Sequence, residues 1–321
     1  MRTDPILGAL VLLGFSSCLR EELPVPARER GAAMTMQTCM GPGYQDQLWL
    51  DLRTGTVVST NVKTVWDLAF ESAPDGWRIY LNGSKMMTAW NIGPADITAA
   101  HDTLGMAAGR KIDAPSGHRD STAFGDWRGQ DDVYIVDLGF DAIGLPQGLR
   151  KFRFHTVSAT EFTFEVARLN GTQLTSVTVP KDPARSFTCY RTGAGVLPIE
   201  PGQGDWDLVV TQYTHQFYEP FLPYIVSGVL SAPGVRVAEM NVTDFDAVTL
   251  ADTLAHPFNN ARDAIGYDWK TFIFESASYE IDPTRVYIVM DAEGYYFKLR
   301  FIDFYSEQGQ VGCPRFEVVP L

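Results

Sequence analysis

The sequence predicts an all-β protein, mainly antiparallel and poor in helix, built from two related halves. Three observations carry that expectation. The first is an internal duplication. Arg53-Thr54-Gly55 leads into Trp66-Asp67-Leu68, and Arg191-Thr192-Gly193 leads into Trp206-Asp207-Leu208. Further on, Val133-Tyr134-Ile135-Val136 is echoed by Val286-Tyr287-Ile288-Val289. Past a glycine-containing turn, these lead to Lys151-Phe152-Arg153-Phe154 and Lys298-Leu299-Arg300-Phe301. The order is the same in both halves, and a duplicated β-rich body is more often a binding scaffold than an enzyme. The second observation is period-two alternation of apolar and polar residues over short runs, in a chain that is 12% aromatic. The third is that no stretch carries the pattern of a long amphipathic helix.

The elements follow in order. Arg2 precedes an apolar run from Ile6 to Phe15, too short to span a bilayer as a helix. Ser16-Ser17-Cys18 closes it and resembles the end of a bacterial lipoprotein leader, with Cys18 as the lipidated residue. Residues 1–18 are therefore read as a signal peptide. Acyl chains on Cys18, at ~0.8 kcal/mol per buried methylene, would hold the protein on a membrane. Residues 19–43 mix charge, Pro and Gly without a period and read as a flexible tether.

The first β-rich repeat is assigned to 44–181. Strands are expected at 48–52, from 57, at 66–70 and at 77–81, the last two flanking the Pro74-Asp75-Gly76 turn. Residues 91–131 read as loop, with a short helix at 96–101. Strands return at 133–138, 151–157, 161–169 and 173–179, with Asn170-Gly171 as a hairpin turn. The second repeat, 182–321, opens with strands at 186–190 and 206–212. Residues 217–265 read as irregular. Strands at 267–274, 285–290, 295–305 and 315–319 complete it, with turns at Glu293-Gly294 and Gln308-Gly309.

Composition excludes some functions. A net charge of −13 disfavours nucleic acid and anionic headgroups. Beyond Cys18 the cysteines are Cys39, Cys189 and Cys313, so at most one intramolecular disulfide is possible. None has a Cys-x-x-Cys or zinc spacing, and three isolated, semi-buried residues are expected. No nucleophile elbow, His-Glu-x-x-His or phosphate loop is present, so no catalytic residue is assigned.

Five histidines are candidates for a binding role. His155 is expected on a solvated strand face with Lys151 and Arg153, and His101 and His118 in loops near Met86, Met87 and Met106. His215 lies beside Phe217, Tyr218 and Phe221, and His256 precedes Pro257-Phe258. Trp66 and Trp206 read as packing anchors. Asp67 and Asp207 read as satisfying nearby backbone donors or capping a turn.

Together these residues resemble a known family. The segments are Trp206-Asp207-Leu208, Tyr267-Asp268-Trp269, Arg285 to Val289, Gly294 to Phe301, and the ending Gly312-x-Pro314-x-Phe316-Glu317. Their order resembles the HmuY family, haem-binding surface lipoproteins of Bacteroidetes, and the duplication its longer members. The resemblance implies HmuY-like β halves, a lipid anchor on the outer membrane and exposure at the cell surface. It also implies haem as cofactor and delivery to a TonB-dependent outer-membrane receptor. Haem in such proteins takes axial donors from loops. One family position follows Tyr267-Asp268-Trp269, where this chain has Lys270 to Glu275 and neither His nor Met. The other falls in the preceding irregular stretch, which offers His256 and Met240. His256, Met240 and His215 are therefore the candidate haem ligands, with Tyr218, Phe221 and Tyr224 as candidate walls or core. The alternative is a structural or polysaccharide-associated envelope lipoprotein that keeps the fold without haem.

Overall fold

The computed structural model describes residues 32–321, and strands dominate them. In chain order they are β1 (Met34–Gln37), β2 (Asp46–Asp51), β3 (Thr56–Val62), β4 (Leu68–Glu71), β5 (Ile79–Leu81) and β6 (Thr88–Pro94). A one-turn helix α1 (Met106–Gly109) precedes β7 (Asp132–Asp137), β8 (Leu149–Val157), β9 (Glu161–Ala167) and β10 (Thr175–Pro180). Then come β11 (Phe187–Arg191), β12 (Gly195–Leu197), β13 (Leu208–Tyr218), β14 (Phe221–Ser231) and β15 (Arg236–Asn241). The chain ends with β16 (Lys270–Ile273), β17 (Ser278–Ile281), β18 (Arg285–Met290), β19 (Tyr296–Tyr305) and β20 (Val311–Pro320). The pairings between named strands are antiparallel.

The sheets show what the duplication builds. Two five-stranded sheets run β10-β9-β8-β7-β6 and β1-β20-β19-β18-β15. Two four-stranded sheets run β12-β11-β4-β5 and β3-β2-β13-β14. The members of each pair correspond strand for strand if β1 matches β10 and the β2–β3 hairpin matches β11–β12. Each repeat therefore lends its opening strands to the other. β2 of the first pairs with β13 of the second, and β11 of the second pairs with β4 of the first. The hydrophobic cores follow this exchange. One gathers Leu68, Phe70, Phe152, Phe162, Phe164 and Tyr190. The other joins Met36, Leu50 and Leu52 to Trp206, Phe301 and Phe316. The sequence boundary at 181/182 is no sheet boundary, because β11 lies beyond it and is bonded to β4.

Several expectations are corrected by this arrangement. The tether read through residue 43 stops short of β1, which pairs with β20 and buries Met36. That pairing sets Thr38 N–H on Pro314 O at 3.2 Å and closes a Cys39–Cys313 disulfide. Cys189 alone is a free, buried thiol among the described residues. The pairing was hidden because an N-terminal strand belongs to the C-terminal sheet. The helix expected at 96–101 is absent. The irregular reading of 217–265 misses the β13–β14 hairpin, whose tip is marked by Glu219-Pro220 rather than glycine, and also β15.

The face holding Lys151 is not solvated. Lys151 is fully buried, and its ammonium donates to Ile97 O at 2.6 Å and Ala99 O at 2.5 Å. Its counterpart Lys298 donates to Phe245 O, Asp246 O and Val248 O at 2.9, 3.0 and 3.2 Å. In each repeat a strand lysine thus pins the long connection folded over its sheet, and the carbonyls replace the water that the ammonium loses. His155 is exposed as expected. Its ring lies 3.2 Å from the Glu165 carboxylate that Arg153 also approaches.

Candidate functional site

The repeats differ most at one place. The β4–β5 hairpin of the first is short, whereas β13 and β14 are eleven residues each. β2 covers only Leu208 to Val210 of β13, so the distal half of the hairpin runs on without that neighbour. Cross-strand pairing puts His215 opposite Tyr224 and Phe217 opposite Leu222, on one face. At the tip the Tyr218–Phe221 pair falls on the opposite face, each ring 75% exposed, while Tyr224 is 55% exposed. These aromatics are surface, not core.

A second hairpin, β16–β17, stands beside the first and has no counterpart in the first repeat. Lys270 ties them together, donating to Ser227 O on β14 at 2.6 Å and to Tyr267 O at 3.1 Å. Burial pushes this lysine down to about 7. The hairpin adds Phe272 and Phe274, the latter 85% exposed, with ring centroids 5.2 Å apart. Phe272 also meets Tyr279 at 5.1 Å. The two hairpins together present an aromatic surface that water-facing strands do not ordinarily carry.

His215 sits at the base of this surface. Its ring lies 4.9 Å from Phe217 and 5.0 Å from Tyr267. Its Nδ1 is buried and has no hydrogen-bond partner among the described residues. Asp263 is near enough to feel its charge, and burial raises that carboxyl above its usual range. An imidazole among aromatic rings offers one nitrogen donor and flat apolar walls. No group of three or more His, Cys, Asp or Glu among the described residues is arranged to chelate a free metal ion.

The other two candidate ligands lie elsewhere. Met240 is 2% exposed on β15, packed with Phe245, Val248, Val286 and Ile288. His256 is half-buried, and its backbone N–H bonds to Asp252 O at 3.1 Å. A bridge between Val237 and Asn259 brings the His256 segment alongside β15, so Met240 and His256 share a region. His215 belongs to a different sheet, with Phe217 and Tyr267 as its ring neighbours. Cys18 lies outside the described residues. Sequence reasoning missed Phe272 and Phe274 as part of the surface. Their alternation with Thr271 and Ile273 was legible, but the neighbouring hairpin was not.

A model of the family described as HmuY protein matches residues 43–318, spanning both repeats. The chain belongs to the HmuY family. Among solved structures, apo PinO from Porphyromonas gingivitis aligns over 90% of this HmuY-family chain and 97% of its own, at 10% identity and a TM-score of 0.32. The apo HmuY analog of Tannerella forsythia covers 50% of this chain and 90% of its own, at 13% identity and a TM-score of 0.22. A Bacteroides vulgatus protein described as HmuY-like and heme-binding covers 53% and 91%, at 12% identity and a TM-score of 0.22. At such identities and scores no residue role is carried over from them. No curated protein matches the chain. No helix among the described residues of this HmuY-family protein is long and apolar enough to cross a membrane.

Proposed function

We propose that this HmuY-family protein is a haem-binding surface lipoprotein, a carrier rather than an enzyme. Haem is held against the aromatic surface of the two hairpins, with His215 as a ligand to one face of the iron. The protein is tethered by a lipid on Cys18 to the outer membrane and passes haem to a TonB-dependent receptor. The observation that carries the reading is the buried Nδ1 of His215, without a partner among the described residues, beside the rings of Phe217 and Tyr267 and opposite the exposed Tyr224. Haem is a flat apolar ring around a metal that takes imidazole, and these residues suit one side of it. Bound haem would supply an iron centre and a visible spectrum. The chain's own work is to ligate it and to shield the ring.

A haem titration of the purified protein, read at the Soret band in both redox states, tests this. A saturable shift is expected, lost in His215→Ala and kept in Met240→Leu. A flat titration overturns the haem reading. Loss in His256→Ala with His215→Ala unaffected would move the site to the β15 region.

One observation favours a second reading, a polysaccharide-associated envelope lipoprotein. The β16–β17 hairpin presents Phe272 and Phe274 but neither His nor Met. Exposed rings also stack on sugars, and saturable glycan binding with no Soret shift would support this alternative.

A further inference from the structure

Lys270 opens β16 and is 7% exposed. Its two carbonyl partners belong to separate parts of the molecule. Ser227 lies on β14, which pairs along its whole length with β13, the strand that carries His215. Tyr267 brings the ring that packs 5.0 Å from His215. The ammonium also lies 4.3 Å from the Trp269 ring centre, 4.6 Å from that of Phe304 and 5.6 Å from that of Tyr279. Trp269 and Phe304 are members of the hydrophobic core, so the tie is rooted there. We infer that Lys270 is a positioning residue for haem: through Tyr267 and β14 it holds the His215 imidazole in the orientation that ligation needs. This rests on the reading of His215 as the ligand.

A ligating histidine is ordinarily oriented by a hydrogen bond from its second ring nitrogen. The buried Nδ1 of His215 has no such partner among the described residues, so packing does the orienting. Of its ring neighbours, Phe217 sits on the same strand and moves with it. Tyr267 comes from outside the strand, and its carbonyl is the one that Lys270 holds. Burial, and after it the neighbouring Tyr224, raise the Tyr279 hydroxyl above its ordinary range, which sets β17 beside the residue paired with His215.

The ammonium gives up water to make this tie. The acid whose charge it feels, Asp268, is taken by Arg285 at 2.7 Å, so carbonyls and ring faces carry the compensation. Such a lysine fastens backbone to backbone rather than neutralising a carboxylate. The first repeat has no equivalent of β16–β17 and so lacks the tie, and a single haem per chain follows.

The test is haem titration of the full chain and of Lys270→Met, Lys270→Arg and Lys151→Met, read as affinity, stoichiometry and the shape of the Soret band, with thermal unfolding alongside. Lys270→Met keeps the stem and removes the donors. It is expected to bind haem about tenfold more weakly, as a ligand ring in place about a tenth of the time would. Its Soret band is expected to broaden, from imidazole-bound and unligated iron together. Lys270→Arg keeps the charge and donors and is expected to restore the parent band. Lys151→Met removes another carbonyl-bound ammonium, from the first repeat, and is expected to bind haem as the parent does. Should Lys270→Met fail to fold, Tyr267→Leu removes only the ring that the tie presents and carries the same expectation. Parent-like binding in Lys270→Met or Tyr267→Leu, equal weakening in Lys151→Met, or a Lys270→Arg no better than Lys270→Met would overturn the positioning role and leave haem binding in place. A flat titration of the parent would overturn the haem reading and this role with it.

Discussion

The carboxylate of Asp67 accepts the backbone N–H of Thr192 at 2.8 Å, across 125 residues of chain. The second copy repeats the bond, with Asp207 accepting from Leu52 N–H at 2.8 Å. In both, the aspartate's own N–H completes the clasp, on Tyr190 O at 2.8 Å and on Leu50 O at 2.7 Å. The Trp-Asp-Leu motif of each repeat therefore holds the hairpin that the other repeat lends.

The two clasps are not equally costly to break. Asp67 also pairs with Lys85, and both are about 3% exposed. Removing Asp67 strands a buried ammonium, so Asp67→Ala should cost about 3–5 kcal/mol. Asp207 has no ion pair among the described residues. Asp207→Asn keeps an acceptor for Leu52 and should cost about 1 kcal/mol. Urea denaturation of both variants checks the ranking, and equal losses would contradict this account.

The Cys39–Cys313 disulfide closes a loop of 274 residues in sequence separation and ties down a β1 that is only four residues long. Chain entropy gives such a cross-link about 5 kcal/mol. Denaturation with and without reductant should differ by an amount of that order. Under reduction, limited proteolysis should cut first between β1 and β2. An unchanged midpoint would show that β1 is held by its ladder alone.

Much of the fold was legible because alternation and turn chemistry are local. The paired Val-Tyr-Ile-Val strands and Asn170-Gly171 are where the pattern put them. What failed was non-local. The pairing of β1 with β20 and the burial of Lys151 both depend on a distant segment arriving. The site failed in the same way. His215 was visible as a candidate, but its ring neighbour Tyr267 comes from the segment that Lys270 ties to β14.

Lys151 and Lys298 should behave alike despite lying 147 positions apart (298 − 151). Each secures a loop through an ammonium on buried carbonyls. Lys→Met keeps the stem and leaves those carbonyls unsatisfied, so each variant should lose about 2–3 kcal/mol. Hydrogen exchange should localise the loosening to 95–101 in one variant and 245–248 in the other. Uniform loosening would argue against the pinning role.

Stability should fall as pH rises from about 4 to 7 through a defined set of acids. Burial pushes Asp113, Glu200 and Asp207 each up to about 7. Between their ordinary and raised values the folded chain binds more protons than the unfolded chain. The slope of stability against pH is therefore negative in that window. Lys270 and Lys63, lowered to about 7 and 8, act oppositely above neutrality, where the unfolded chain holds the extra proton. Thermal midpoints across pH should show the acid-side slope become shallower in Asp207→Asn. An identical slope would remove Asp207 from the set.

The exposed rings give the sharpest separation of stability from function. Phe274 is 85% exposed and Phe221 75%, so truncating either forfeits little buried area. Phe274→Ala and Phe221→Ala should each unfold within about 0.5 kcal/mol of the parent. If these rings wall a porphyrin, each loses a stacking contact of about 0.5–1.5 kcal/mol, a two- to tenfold weaker haem affinity. Ile143→Ala, an equally exposed apolar change in the first repeat at 81% exposure, serves as the control and should leave affinity unchanged. Equal haem affinity in all three variants would place the porphyrin away from the hairpin tips, whatever the Soret band shows for the parent.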